Sequence, residues 1–178
     1  MPTENWIYFI KDAWEILFAH NWVSVIMQDK NLWASEMWNP WEEVTSKNKW
    51  KFYAFNKIPN VDWYHVPTAD EWQLVLQMWM QANWLKTDEI DLTKKESLFT
   101  FEARRQFQND FRLPFAWWWK WTTYIIDDLD DHGRYRTATE RNDEKWYALR
   151  LCGIYTLIND FYKDNLYSVR LFKDVIWK

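Results

Sequence analysis

Apolar and β-branched residues are concentrated at the start of the chain, where residues 5–30 predict two or three short strands. The clearest pair is an apolar segment at 15–20 and another at 23–27, separated by the two residues Asn21 and Trp22. Two such segments predict a hairpin, for which the favoured two-residue turn is Asn-Gly because both turn residues need a positive φ. A tryptophan at the second turn position is unexpected, since the left-handed conformation costs about 1–2 kcal/mol.

A helix with well-marked ends follows a turn-rich stretch at 31–62, which we expect to be a meandering surface segment. Thr68 and Glu71 have the spacing of a capping box, with Pro67 just before it, and so predict where the helix begins. Its apolar residues recur as far as Asn83 and Trp84, where a glycine would ordinarily end a helix.

A second helix is predicted from about Thr93 to Phe107, and from Phe111 onward the pattern changes to short strands and polar loops. The chain contains no repeat, linker or low-complexity tract. We therefore expect one α+β domain over residues 1–178, with two helices, short antiparallel strands and a loop-rich C-terminal half.

Composition excludes several classes of protein. The chain has 22 Lys and Arg against 26 Asp and Glu, so no basic excess supports binding to nucleic acid. No apolar run approaches the roughly 20 residues of a membrane span, so we expect no membrane insertion. The one cysteine, Cys152, excludes an internal disulfide and is predicted to be a buried, inert thiol in a strand.

Tryptophan and glycine are both present in unusual numbers, 17 and 2 among 178 residues. Several tryptophans follow turn residues, as Trp22, Trp63 and Trp84 do, where glycine is the ordinary choice. We hypothesise that most of them are glycines encoded by UGA, a codon that some bacterial lineages read as glycine and another code reads as tryptophan. The alternative is a genuinely Trp-rich chain, designed or selected for binding. UGA codons at these positions would support the glycine hypothesis, and UGG codons would support a Trp-rich chain.

Four segments of the chain resemble the Fibrobacter succinogenes major paralogous domain, which has a C-type-lectin-like fold. They are residues 29–34 (DKNLWA, similar to DRNLGA), 63–72 (WYHVPTADEW, similar to GWHVPTDAEW), 112–117 (RLPFAW, similar to LPFAG) and 167–174 (YSVRLFKD, similar to FSVRCFKD). They follow the family's order, and the resemblance covers about residues 25–174. Trp33, Trp63 and Trp117 fall where the family has glycine, whereas Trp72 falls where the family has tryptophan.

The chain also departs from that family. Two cysteines that the family often carries are absent, because residues 60–62 and Leu171 stand in their places. The resemblance implies an extracellular or cell-surface protein, whereas residues 1–5 lack a signal-peptide pattern. A trimmed N-terminus or delivery as part of a phage particle would reconcile the two.

Residues that could support catalysis or metal binding are few. The three histidines, His20, His65 and His132, are not spaced as metal ligands or triad members, and no phosphate loop or nucleophile elbow is present. We therefore expect no enzymatic activity and no cofactor. The weak metal candidates are four carboxylates that could attract calcium, although their spacing fits no EF-hand and a solvated loop is favoured: Asp127, Asp128, Asp130 and Asp131.

Between residues 117 and 165 the chain is rich in aromatic and adaptable polar residues, a mixture typical of recognition surfaces and also found on ordinary irregular surfaces. The candidate ligand-binding residues are Trp118, Trp119, Tyr124, Asp128, Asp131, Arg134, Tyr135, Arg141, Asn142, Asp143, Asn159, Asp160 and Tyr162. In C-type-lectin-like folds the corresponding region forms the ligand face. The resemblance thus implies a non-enzymatic module that binds a protein or glycan. Two alternatives remain: a structural domain of a surface assembly, and a phage receptor binder or variable protein diversified by a retroelement.

Overall fold

The structure is a computed structural model that describes residues 6–10, 15–20, 23–32, 34, 58–83, 101–114, 119–120, 133–152 and 155–177. The helices in these ranges are α1 (Ala69–Ala82) and α2 (Phe101–Asp110). The strands are β1 (Trp6–Ile10), β2 (Glu15–His20), β3 (Val23–Gln28), β4 (Trp119–Lys120), β5 (Gly133–Glu140), β6 (Lys145–Cys152), β7 (Tyr155–Tyr162), β8 (Asn165–Leu166) and β9 (Phe172–Trp177). The α+β class predicted from the sequence is therefore confirmed.

The N-terminal strands form an antiparallel sheet of order β1-β2-β3-β9. Strands β2 and β3 pair from Glu15 with Gln28 to His20 with Val23, so the predicted hairpin is confirmed, although its turn residues lie outside the described ranges. Strand β9 completes the sheet beside β3, where Met27 pairs with Phe172. This sheet joins the beginning of the described chain to its last strand.

Helix α1 begins and ends where the sequence predicts. The Thr68 side chain accepts a hydrogen bond from the Glu71 amide, the Glu71 carboxylate accepts one from the Thr68 amide, and Asn83 is the C-cap. Its apolar face buries Trp72 and Trp79 completely or nearly so. The Trp72 ring packs edge-on against Phe172 at 4.8 Å, and the Trp79 indole N–H donates to Asp110 at 2.8 Å. Trp72 and Trp79 are thus built into the core.

Helix α2 runs to Asp110, three residues beyond its predicted end, while the predicted start near Thr93 lies outside the described ranges. Two residues after the end of the helix, Arg112 lies in the left-handed region at a φ of 49°. The amide of Leu113 then donates to the Gln108 carbonyl at 2.9 Å, a closing bond typical of helix C-termini. This turn directs residues 112–114 back toward the core.

Strands β5, β6 and β7 form a three-stranded antiparallel sheet with eight residues in each strand. The described C-terminal half therefore contains strands, as the sequence predicted, but they are longer than the short strands and polar loops that were expected. The reason is that residues 133–137 of β5 are all buried although they include Arg134 and Arg136, so the strand lacks the apolar run that marks most buried strands. Likewise Asn31, Leu32 and Ala34 are buried, so the beginning of the stretch predicted as a surface segment belongs to the interior.

Residues 167–174 lie where the segments that resemble the lectin-like family meet. The Leu32 amide donates to the Val169 carbonyl at 2.9 Å, and His65 and Phe172 exchange two backbone hydrogen bonds of 2.8 and 2.9 Å. The amide of Gln28 also donates to the Leu171 carbonyl at 2.9 Å. Segments far apart in the sequence are thus joined through one short stretch of backbone.

The side chain of Arg170 extends this junction to α2. It is completely buried, and its guanidinium donates to the Gln28 carbonyl at 2.7 Å, the Asn31 side chain at 3.2 Å and the Arg112 carbonyl at 2.7 Å. Burial lowers the pKa of Arg170 to about 10, an effect that Tyr135 and Asp29 partly offset. Several donors in a fixed geometry make arginine suited to joining three backbone segments at once.

Trp63 contrasts with the buried tryptophans. It is 85% exposed and has a φ of 67°, in a four-residue turn closed by a 3.0 Å hydrogen bond from the Tyr64 amide to the Val61 carbonyl. Asp62 before it has no positive φ, so the turn has the conformation that requires glycine or asparagine at its third residue. The structure thus places a tryptophan in a glycine position.

Candidate recognition surface

The exposed end of the β5–β7 sheet is the part of the predicted ligand region that the structure describes in most detail. The turn between β5 and β6 consists of residues 141–144, all exposed. The Asn142 side chain holds this turn by accepting hydrogen bonds from the amides of Glu144 at 3.0 Å and Lys145 at 2.8 Å. An asparagine side chain that replaces a backbone partner in this way fixes the shape of a turn.

Two ion pairs connect this turn to β7. The Asp160 carboxylate lies 2.7 Å from the Arg141 guanidinium and 3.0 Å from the Lys145 ammonium. Desolvation disfavours the charged carboxylate, but the Lys145 hydrogen bond and the charges of Arg141 and Lys145 outweigh it and lower the pKa of Asp160. The hydrogen bond and charge of Asp160 in turn raise the pKa of Lys145. Asp160 and Lys145 are therefore both charged at neutral pH.

Tyr162 stands next to this cluster and is 56% exposed. The Lys145 ammonium lies 4.9 Å from the centre of its ring, within the range of a cation–π contact. Directly after Tyr162, in the turn that follows β7, Lys163 pairs with Glu140 at the end of β5 at 3.0 Å. We call the residues of this end, 140–145 and 159–163, the sheet-end surface.

The structure brings together six of the predicted ligand-binding residues at the sheet-end surface and places two others, Arg134 and Tyr135, in the interior. Those at this end are Arg141, Asn142, Asp143, Asn159, Asp160 and Tyr162. Asn159 and Asp160 are half-buried there, and the Asn159 side chain accepts a hydrogen bond from the Asp160 amide at 2.8 Å. The remaining members of this surface were not selected from the sequence; among them are Lys145, which pairs with Asp160, and Lys163, which pairs with Glu140.

Arg134 and Tyr135 are corrections to the predicted ligand face, because both are buried. The Tyr135 hydroxyl donates to the Pro114 carbonyl at 2.5 Å, and burial raises the pKa of the phenol well above its usual range. The Arg134 guanidinium lies 4.7 Å from the centre of the Phe161 ring. Aromatic and arginine residues suit both a binding face and a core, so composition alone did not distinguish the two.

Five predicted residues remain without a described side chain. Trp119 lies in β4, paired with Leu166, and nothing is described of its side chain. Trp118, Tyr124, Asp128 and Asp131 lie outside the described ranges, as do the metal candidates Asp127 and Asp130. Cys152 ends strand β6, as predicted, and the burial predicted for its thiol also lies outside what is described.

A second group of polar residues, which the sequence did not indicate as a unit, surrounds the turn at 61–64. The Tyr64 hydroxyl donates to Glu15, whose carboxylate also accepts from Lys173 at 3.3 Å. The His65 ring nitrogen Nε2 lies 2.8 Å from the same Glu71 that caps α1. Glu15 is buried, and no local pattern could have revealed it because its partners are 49 and 158 residues away.

Neither described helix is long and apolar enough to cross a membrane. Within the part of the chain that the structure describes, no three His, Cys, Asp or Glu side chains form a group that could hold a metal ion. Comparison of the chain with models of protein families, with curated proteins and with solved structures gives no match. The resemblance to a lectin-like family therefore rests on the four short segments.

Proposed function

We propose that the chain is a non-enzymatic recognition module that binds a protein or a glycan through the region between residues 117 and 165. The observation that carries the proposal is the sheet-end surface, where exposed polar and aromatic side chains are held in fixed positions. Arg141 is paired with Asp160, and Asn142 fixes the turn between β5 and β6. Side chains that are already ordered lose less entropy when a ligand binds.

Tyr162 gives this surface its apolar contact area. Tyrosine combines a large rigid ring with a hydroxyl and loses little conformational freedom on binding, which is why it is frequent in binding sites. At 56% exposure the Tyr162 ring remains accessible even with Lys145 beside it. Surrounding charges of both signs would then select the orientation of the ligand.

The test is a screen of purified protein against glycans and displayed peptides, with calcium and with a chelator. For any ligand found, Tyr162→Ala and Arg141→Ala should each weaken binding at least tenfold. Glu102→Ala, an exposed position on α2, is the control and should leave affinity unchanged. A folded protein with no ligand would support a structural domain of a surface assembly. Variation clustered at 117–165 among sibling genes would support the retroelement-diversified binder.

Two further parts of the proposal concern the fold family and the residue encoded at position 63. We propose a C-type-lectin-like fold, supported by the antiparallel contact of β3 with β9 and by the meeting of the resembling segments at residues 167–174. We also propose that Trp63 is a UGA-encoded glycine, supported by its φ of 67° in a turn that requires glycine. Sequencing of the gene tests this directly, because a UGG codon at Trp63 would refute it.

A further inference from the structure

Three side chains from distant parts of the chain meet at one carboxylate oxygen, Oε1 of Glu15. The Tyr64 hydroxyl donates a hydrogen bond to this oxygen, and the Lys173 ammonium lies 3.3 Å from it. Glu15 is 6% exposed, whereas the Lys173 side chain is 40% exposed. The carboxylate is therefore buried, while its amine partner is still in contact with solvent.

The backbone holds these three residues together. Glu15 in β2 and Lys173 in β9 belong to strands that both pair with β3. Tyr64 is followed by His65, whose backbone exchanges two hydrogen bonds with Phe172, the residue before Lys173. A reaction between Glu15 and Lys173 would thus be intramolecular, and well-oriented intramolecular reactions have effective concentrations of about 10⁵–10⁸ M.

The surroundings of the pair favour a reaction between its uncharged forms. Burial disfavours charge, and a proton that moves from the Lys173 ammonium to the Glu15 carboxylate produces a neutral amine and a neutral acid. Burial and the hydrogen bond to Glu15 raise the pKa of the Tyr64 phenol well above its usual range, so Tyr64 keeps its proton and remains a donor. A donor to a carboxyl oxygen stabilises the negative charge that develops there when a nucleophile attacks the carbon.

Asp29 adds a second buried carboxyl group near Tyr64. It is 5% exposed, and its Oδ1 atom has no hydrogen-bond partner among the described residues. Burial raises the pKa of Asp29, although the charges of Arg170, Arg112 and Lys30 oppose this effect. The charge of Asp29 also contributes to the raised pKa of Tyr64, so the two groups are close enough to interact. A carboxyl group that takes up and returns a proton beside a reacting pair acts as a general acid and base.

We propose that Glu15 and Lys173 condense after folding to form an intramolecular amide, an isopeptide bond between β2 and β9. The neutral Nζ of Lys173 attacks the Cδ carbon of the protonated Glu15 carboxyl group. A C–N bond forms, a C–O bond breaks, and the hydroxyl group leaves as water with a proton from the nitrogen, which Asp29 carries. The reaction consumes no oxidant, reductant or cofactor.

A cavity of about 370 Å³ gives the released water a route to solvent, because it is lined by residues 60–65 and by Lys173 itself. The bond would join two residues that are 158 positions apart and so close the N-terminal sheet covalently. This inference goes beyond the recognition function proposed above, since neither residue belongs to the sheet-end surface.

The experiment is a measurement of the intact mass of the full chain, purified in its folded state and then denatured for mass spectrometry. We expect a mass lower by one water molecule than the mass calculated from the sequence. Proteolysis should then release a branched peptide that contains both Glu15 and Lys173, which fragmentation identifies. A mass equal to the calculated value after prolonged incubation of the folded protein, or loss of water at other residues, would overturn the proposal.

Variants test the role of each group. Lys173→Arg keeps the charge but removes the reactive amine and should have the full calculated mass, whereas the control Lys163→Arg should lose one water like the wild type. Tyr64→Phe and Asp29→Asn should each slow bond formation roughly tenfold or more, followed by mass as protein from inclusion bodies refolds. A wild-type rate in both would refute the mechanism, and a water lost in Lys173→Arg would refute the assignment. If Tyr64→Phe or Asp29→Asn does not fold, the masses of the wild type and Lys173→Arg decide.

Discussion

Replacing Trp63 with glycine should stabilise the protein, although most substitutions destabilise. Its backbone has a φ of 67°, and a residue with a Cβ atom in this region costs about 1–2 kcal/mol. Glycine adopts the conformation freely, at the cost of more conformational freedom lost on folding, about 0.5–1 kcal/mol.

The tryptophan side chain contributes little to offset this gain. It is 85% exposed, and denatured chains themselves bury about 10–40% of the surface that an extended chain would expose. Removing the side chain therefore removes hardly any buried apolar area from the folded protein. The net expectation is an increase of about 1 kcal/mol in the free energy of unfolding, or roughly 2–4 °C in Tm for a domain of this size.

Equilibrium urea denaturation at neutral pH measures this change, and two controls isolate its cause. Trp63→Ala removes the side chain but keeps a Cβ atom, and should gain much less than glycine. Asp62→Gly introduces glycine at the neighbouring exposed position, whose φ is not positive, and should lose about 0.5–1 kcal/mol. If Trp63→Gly and Trp63→Ala had equal stability, backbone strain at Trp63 would be the wrong explanation.

Three further predictions concern polar contacts. Arg170→Ala should lower the free energy of unfolding by about 3–5 kcal/mol, because several buried acceptors lose their donor. The control Arg141→Ala, at an exposed position, should change it by less than about 0.5 kcal/mol. Equal losses of stability in the two variants, measured by urea denaturation, would contradict this prediction. Tyr64→Phe should cost about 1.5–3 kcal/mol by removing a hydrogen bond to a buried carboxylate, with the exposed Tyr162→Phe nearly neutral in the same assay. Asp160→Asn should destabilise the protein at pH 7 and low salt. The pKa of Asp160 is lowered in the folded state, so its ion pairs stabilise the fold only while the carboxylate is ionised, and the difference from wild type should vanish as pH falls through the native pKa. Thermal unfolding from pH 7 to pH 2 measures this difference, and a difference that persists at pH 2 would refute the ionic origin.

Local signals in the sequence predicted the parts of the fold that are local. The capping box at Thr68 and Glu71 and the hairpin of β2 and β3 each depend on residues a few positions apart, and both are confirmed. Arg170 could not be assigned from its neighbours, because its acceptor Gln28 is 142 residues away. The burial of β5 was also hidden, because its buried residues include Arg134 and Arg136, and arginine is a residue type that is mostly exposed.

Composition indicated only part of the candidate surface, because it does not distinguish exposed residues from buried ones. Aromatic and charged residues between 117 and 165 indicated recognition, and the exposed members around Arg141 and Tyr162 do lie together. The same composition also selected Tyr135, whose hydroxyl is satisfied by a backbone carbonyl in the interior. Only the position of each strand relative to the core distinguishes an exposed tyrosine from a buried one.

The pairing of β3 with β9 sets the timing of folding during synthesis. Residues 23–28 leave the ribosome long before residues 172–177, and at 5–20 residues per second the delay is on the order of 10 s. Until then the β3 edge has no partner, and an unpaired edge beside apolar residues such as Val25 and Met27 is prone to pair with other chains. Slow translation or a stalled ribosome would extend this exposure, so the yield of folded protein should depend on chaperones that cover the nascent chain.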